Sequence, residues 1–123
     1  MRKLFEVTVD VGERKVKMNP LKIYIIKSVN EKPKNGYDIL REIKNKSNGR
    51  WVPPKSTIYP TLKKMVDEGL MTVDDNGVYK ITDVGRQILE KLTNDDKIID
   101  DLLENLRAIE ILLQEVKVGN NGS

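Results

Sequence analysis

Apolar residues recur with period two at the start of this chain and with period three to four through most of the rest. Phe5, Val7, Val9 and Val11 alternate with polar residues, which predicts a half-buried strand. Gly12-Glu13 allows a turn into a second short strand through Val16 and Met18. Asn19 followed by Pro20 pairs an N-cap residue with a first-turn proline and predicts a helix start. Leu21, Ile23, Tyr24, Ile25, Ile26 and Val29 make that helix apolar on most sides, as expected of a central buried one. Lys32-Pro33-Lys34-Asn35-Gly36 ends it and turns the chain. A second helix, YDILREIKNK, is expected to place Tyr37, Ile39, Leu40 and Ile43 inward. Asn48-Gly49 then stops it, and Pro53-Pro54 blocks further helix.

The stretch KSTIYPTLKKMVDEG carries a third helix with a proline inside its apolar period. Ile58, Leu62, Met65 and Val66 form the inward face, while Thr57, Thr61 and Lys64, with Lys63 beside them, form the outward one. An N-cap at Ser56 or Thr57 would set Pro60 at the edge of the first turn, where little backbone bonding is lost. Gly69 is the expected helix stop. LMTVDDNGVYKIT reads as a hairpin with a two-residue type I′ turn at Asn76-Gly77. Thr82 caps a fourth helix from Asp83 to about Thr93. Residues 95–117 space Ile99, Leu102, Leu106, Ile109, Leu113 and Val116 alternately by three and four, a heptad seam widened by Leu103 and Leu112. The last six residues, VGNNGS, read as a disordered tail.

Three helices, a connection and a hairpin are the order of a winged helix-turn-helix, whose third helix enters the major groove. The expected fold class is therefore α+β and mostly helical, with a C-terminal dimerisation helix. The expected divisions are a strand-like arm over 1–18, the winged helix-turn-helix over 19–93, the dimerisation helix over 94–117 and the tail over 118–123.

Composition narrows the chemistry. With 123 residues and 38 % hydrophobic content, the chain suffices for one domain with a modest core. It has no run of about 18 apolar residues, and its N-terminus matches neither a signal peptide nor a typical transit peptide, so a cytoplasmic protein without a membrane partner is expected. Cys and His are both absent, which removes thiolate chemistry, the commonest general base and the commonest metal ligand. Neither an enzyme nor a cofactor or metal site is expected. The acidic pairs Asp74-Asp75, Asp95-Asp96 and Asp100-Asp101 are accounted for by turns, helix starts and solvation, because neighbours in sequence diverge in direction. The net charge of +3 is unevenly spread. Residues 19–72 hold eleven basic and five acidic side chains, whereas residues 94–123 hold three and seven. A basic middle is the footprint of a polyanion partner, or an ordinary lysine-rich surface.

Residues 35–73 resemble the PadR family of winged-helix transcriptional regulators. The resemblance is carried by Gly36-Tyr37, Gly49-Arg50-Trp51, Thr57-Ile58-Tyr59-Pro60-Thr61-Leu62, Glu68-Gly69-Leu70, and Thr82 with Gly85-Arg86. It covers roughly residues 20–93 and implies a homodimeric, repressor-like DNA binder, often released by a small molecule, with the short single C-terminal helix of the smaller subfamily. Asn35 stands where the family often has histidine, and Asp74-Asp75 stands at a wing tip where relatives commonly carry arginine. Residues 1–18 have no counterpart.

The reading is thus a homodimeric, sequence-specific regulator that binds double-stranded DNA with helix 56–68 in the major groove. The candidate DNA contacts are Tyr37, Lys55, Ser56, Thr57, Tyr59, Thr61, Lys63, Lys64, Asn76 and Lys80. Ile99, Leu102, Leu106, Ile109, Leu113 and Val116 are the candidate dimer interface. Trp51 is expected to pack under the recognition helix. The alternatives are a nucleoid-type binder of low sequence specificity and a winged-helix module that binds protein, which the acidic wing would suit.

Overall fold

The computed structural model describes residues 4–121. Its elements run β1 (Val7–Val11), β2 (Arg14–Met18), α1 (Pro20–Glu31), β3 (Lys34–Asn35), α2 (Gly36–Lys46), α3 (Lys55–Asp67), β4 (Met71–Val73), β5 (Val78–Ile81), α4 (Asp83–Asn94) and α5 (Asp96–Asn121). This mostly helical α+β arrangement is the expected winged-helix class, with β1 and β2 as an antiparallel hairpin in front of it.

The elements begin and end where local chemistry favours it. The Asn19 side chain accepts the Lys22 N–H, and Pro20 follows at the first position of α1. The Asn35 side chain accepts the Asp38 N–H to start α2. At the end of α3, Gly69 at φ +78° lets the Leu70 N–H reach the Met65 carbonyl (3.0 Å) and the Gly69 N–H reach the Val66 carbonyl (2.9 Å). Thr82 accepts the Gly85 N–H and donates to the Gly69 carbonyl, so one hydroxyl joins the start of α4 to the end of α3.

One core gathers Val9, Val11, Val16 and Met18 of the hairpin, Ile25, Ile26 and Val29 of α1, Ile39 and Ile43 of α2, Ile58, Leu62 and Met65 of α3, and Ile88 and Leu92 of α4. Gly85 is required at its position, because a side chain there would run into the Leu70 carbonyl and Ile81. A partly buried polar cluster spans α1, β3 and α2. Lys34 Nζ lies 3.2 Å from Glu42 Oε2 and 2.8 Å from the Ser28 hydroxyl, which itself donates to Glu42. The partners satisfy one another, which is what makes such burial tolerable.

Several details differ from expectation. Helix α3 starts at Lys55, not after a cap at Ser56 or Thr57. Pro54, in extended conformation, gives its carbonyl to the Thr57 and Ile58 N–H groups, and no side chain caps the helix. Pro60 therefore sits in the second turn and deprives the exposed Ser56 carbonyl of its helical donor, a loss that water can make good. The wing turn is also different. Only Gly77 has positive φ, while the Asp74 carboxylate accepts the N–H groups of Asn76 (2.8 Å) and Val78 (3.0 Å). The connection is a three-residue loop with glycine in the left-handed position, selected by Asp74, instead of a type I′ turn.

Strand β3 leaves no pattern in the sequence; it pairs Lys34 with Tyr79 and Asn35 with Val78, adding a third strand to the wing sheet. Tyr37 faces outward at 57 % exposure, because inward Ile39 and Ile43 lie one turn apart and leave Tyr37 on the far side. Trp51 is 44 % exposed and lines a cleft with Pro20, Tyr24 and Ile43 instead of underlying α3. Helix α5 continues to Asn121, past the expected boundary at 117. Its hydrogen-bond ladder crosses Gly119 at a propensity cost of about 1 kcal/mol. Residues 1–3 of the arm and 122–123 of the tail lie outside the described residues.

Candidate nucleic-acid interface

Helix α3 divides sharply between two faces. Ile58, Leu62 and Met65 are fully buried, and Val66 is half-buried beside them. Lys55, Ser56, Thr57, Tyr59, Lys63 and Lys64 are exposed, and Thr61 is half-buried. The Thr61 hydroxyl donates to the Thr57 carbonyl at 2.7 Å, which leaves its methyl group and its oxygen lone pairs for an external partner. Lys63 meets Asp67 at 3.0 Å in a solvent-exposed i,i+4 pair. Such a pair contributes little and can be exchanged readily for another anion. With no side-chain cap, the first N–H groups of α3 also stay available.

Tyrosines tie this helix to its neighbours. Gly36 makes room for the Tyr59 ring: a Cβ there would sit 2.6 Å from its Cε1 atom. Tyr37, the next residue, stands exposed with the Arg41 guanidinium 5.6 Å from its ring centre. Burial pushes the Tyr79 phenol above its ordinary value, and the Tyr59 phenol adds to the shift. Thus the start of α2, the middle of α3 and the base of the wing meet around Gly36, which gives the family-like Gly-Tyr and Tyr-Pro pairs one packing reason. Arg41 joins the candidates here; the i,i+4 spacing from Tyr37 was its only sequence signal.

The wing candidates stand apart from that cluster. Asn76 at the tip and Lys80 on β5 are exposed, and Asp74-Asp75 keep the tip acidic. The structure sets Tyr59 against Gly36, the residue before Tyr37, and places Lys55, Ser56, Thr57, Thr61, Lys63 and Lys64 on one helix.

The candidate assembly residues split into two groups. Leu102 is buried and Ile99 half-buried within the chain, where α5 leaves α4. Leu106, Ile109, Leu113 and Val116 lie between 36 % and 61 % exposed on the part of α5 that runs clear of the domain. Where α5 departs, an apolar cleft of about 450 Å³ opens between α1, α4 and α5, lined by Ile23, Tyr24, Leu89, Leu92, Leu102 and Leu106 among others.

Residues 25–91 match the transcriptional regulator PadR-like family. The chain belongs to this family. Among curated proteins it is similar to the transcriptional regulator YqjI of Escherichia coli, 26 % identical over 79 % of this chain and 42 % of that protein. It is also similar to the negative transcriptional regulator PadR of Bacillus subtilis, 34 % identical over 58 % of this chain and 44 % of that protein. The chain thus spans less than half the length of these curated relatives. Among solved structures, B. subtilis PadR superposes with a TM-score of 0.52 at 33 % identity, over 62 % of this chain and 44 % of that one. TA0346 of Thermoplasma acidophilum does so with 0.50 at 31 % identity, over 68 % of this chain and 89 % of that one. PadR-like proteins are transcriptional regulators, not enzymes. No helix among the described residues is long and apolar enough to cross a membrane.

Proposed function

We propose that this PadR-like chain is a homodimeric, repressor-like regulator that reads a pseudo-palindromic duplex site with α3 in the major groove. The observation that carries the reading is the outward face of α3. Thr57, Thr61 and Lys64 stand there on a helix whose apolar face is already spent in the core. Threonine offers hydroxyl and methyl contacts to base edges, and the lysines suit phosphate oxygens. The uncapped N-terminus of α3 supplies N–H donors to a phosphate. Tyr37, Tyr59 and Arg41 flank this face, with Asn76 and Lys80 as wing contacts. Assembly is read from the apolar stripe on the free part of α5, which a second copy of α5 would cover. The cytoplasm is the compartment that suits such a regulator.

A structure of B. subtilis PadR holds p-coumaric acid; it superposes with a TM-score of 0.52 at 25 % identity. Aromatic acids are therefore the first class to screen as effectors here. The acidic wing favours a second reading, a winged-helix module that binds protein, and a nucleoid-type binder is a third.

Selection of bound duplexes from a random pool at physiological salt separates the three. The regulator enriches an inverted repeat with half-site centres about 10 or about 20 base pairs apart. A nucleoid-type binder enriches nothing in particular, and a protein-binding module retains no duplex. Either of those results replaces the regulator reading.

A further inference from the structure

The β1–β2 hairpin lies outside the family-matched segment, yet it holds the last turn of α3. Arg14, the first residue of β2, donates Nη2 to the carbonyl of Glu68, and its Nη1 lies beside Gly69. Glu68 is the C-terminal cap of α3, and the turn-closing bonds of that end use the carbonyls of Met65 and Val66, so the Glu68 carbonyl is otherwise unclaimed. The Glu68 carboxylate receives Lys22 Nζ at 2.6 Å, and the same ammonium donates to the Lys17 carbonyl on β2, also at 2.6 Å. Lys22 is only 4 % exposed, so this is a built contact and not a passing surface pair. The hairpin is itself anchored, by Val9, Val11, Val16 and Met18 in the core and by Lys91 of α4 on the Asp10 carbonyl.

We propose that Arg14 and Lys22 are positioning residues, and that the hairpin braces the C-terminal end of α3 so that its outward face meets a duplex at one angle. The inference rests on reading α3 as the recognition helix. The two ends of α3 are fastened very differently. At its start no side-chain hydrogen bond caps the helix, and the preceding segment 47–54 is irregular. At its end, two cations grip one residue, and cations at a helix C-terminus also suit its dipole. Ile58, Leu62 and Met65 seat the helix in the core along its length, and the side-chain hydrogen bonds added at this end fix the angle that apolar packing leaves adjustable.

The test uses the full chain with Arg14→Ala, Arg14→Lys and Glu68→Gln. Each is measured by hydrogen exchange over residues 62–70, by thermal unfolding and by titration of the selected duplex across salt. For Arg14→Ala, exchange should speed up at the end of α3 while the unfolding midpoint moves by only a few degrees. Duplex affinity should fall roughly five- to tenfold, the usual scale for residues that act through others, with an unchanged salt slope. Arg14→Lys should restore part of the affinity. Glu68→Gln keeps the carbonyl that Arg14 holds but loses the ion pair, so it should show a smaller version of both effects. Unchanged exchange at the end of α3 would overturn the brace. Faster exchange with unchanged affinity would deny it a part in recognition. A salt slope lower by about one unit per subunit with unchanged exchange would make Arg14 a direct phosphate contact instead. A parent chain that retains no duplex would remove the recognition reading itself, which no result on the variants alone can do.

Discussion

Helix α3 hides its apolar face within its own chain, with Ile58, Leu62 and Met65 at 0 % exposure, whereas α5 leaves Leu106 at 48 % and Leu113 at 61 %. Both helices carry apolar residues at spacings of three and four, so periodicity alone does not tell them apart. What differs is the company. Helix α3 packs on α2 and β4 and sends its apolar face into the common core, and what remains outside is mostly hydroxyl and ammonium. Helix α5 is covered only over its first two turns, and every residue from Leu106 to Gly119 is exposed. An isolated helix of about that length is marginal in water, and so long an open apolar stripe is uncommon on a protein that acts alone. The contrast teaches that one face is spent within its own chain, whereas the other is left open and is the face the proposed dimer would cover. Charge follows the same division, since the segment containing α3 is basic and the segment containing α5 is acidic.

Five substitutions test the contrast. Leu106→Lys should have the largest effect, on assembly alone. Under the proposed dimer it buries an unpaired charge at the centre of the seam, costing about 3–5 kcal/mol per pairing. Sedimentation should show a dimeric parent and a largely monomeric variant, with circular dichroism of the winged helix retained. A parent that sediments as a monomer at micromolar concentration would break the comparison at its α5 end.

Leu62→Ala makes the matching change on α3 and should act on folding instead. It opens a cavity at a site with 0 % exposure, so unfolding free energy should drop by about 2–5 kcal/mol. Chemical denaturation measures this, and the fraction assembled should change little under native conditions. A cost below about 1 kcal/mol would mean that α3 is less firmly enclosed than its burial implies.

Thr61→Ala and Lys64→Ala divide the outer face of α3. The first should alter base preference by about 1–3 kcal/mol at one position of the site, as read from a selected-sequence profile. The second should weaken all duplexes alike and lower the salt slope by about one unit per subunit. Identical profiles for the parent and Thr61→Ala would take sequence reading away from this face.

The wing should show the smallest effect. Asp75→Asn removes one exposed negative charge and should improve duplex affinity only a few-fold, fading as salt rises. A gain of about tenfold, roughly 1.4 kcal/mol, would place the tip against the phosphates. Asp74 is the wrong residue for this test, because its carboxylate holds the turn through the Asn76 and Val78 N–H groups.

Signals confined to a few neighbouring residues were legible in the sequence. The start of α1 at Asn19-Pro20, the stop at Gly69 and the cap at Thr82 each depend on one side chain or one glycine acting on backbone within reach. The core face of α3 follows from period alone, and period together with the caps and turns gives the order of elements that marks a winged helix. The structure departs from the local signals where two of them compete. Ser56 and Thr57 are better caps than Pro54, yet the rigid Pro53-Pro54 pair delivers the chain so that the Pro54 carbonyl takes the first bonds. Asn76-Gly77 favours a type I′ turn, but the Asp74 carboxylate selected the longer loop.

Distant contacts were decided only by the tertiary structure. No local rule pairs Lys34 with Tyr79, sets Arg14 on Glu68, or seats Tyr59 over Gly36. Nor does the heptad pattern say that Leu102 is covered by its own domain while Leu106 stands half open. Local preferences act through bonds and torsions within about a turn of chain, and the sequence states them directly. Which surfaces finally meet depends on how the packed helices divide a limited apolar area, and that division exists only once the chain has folded.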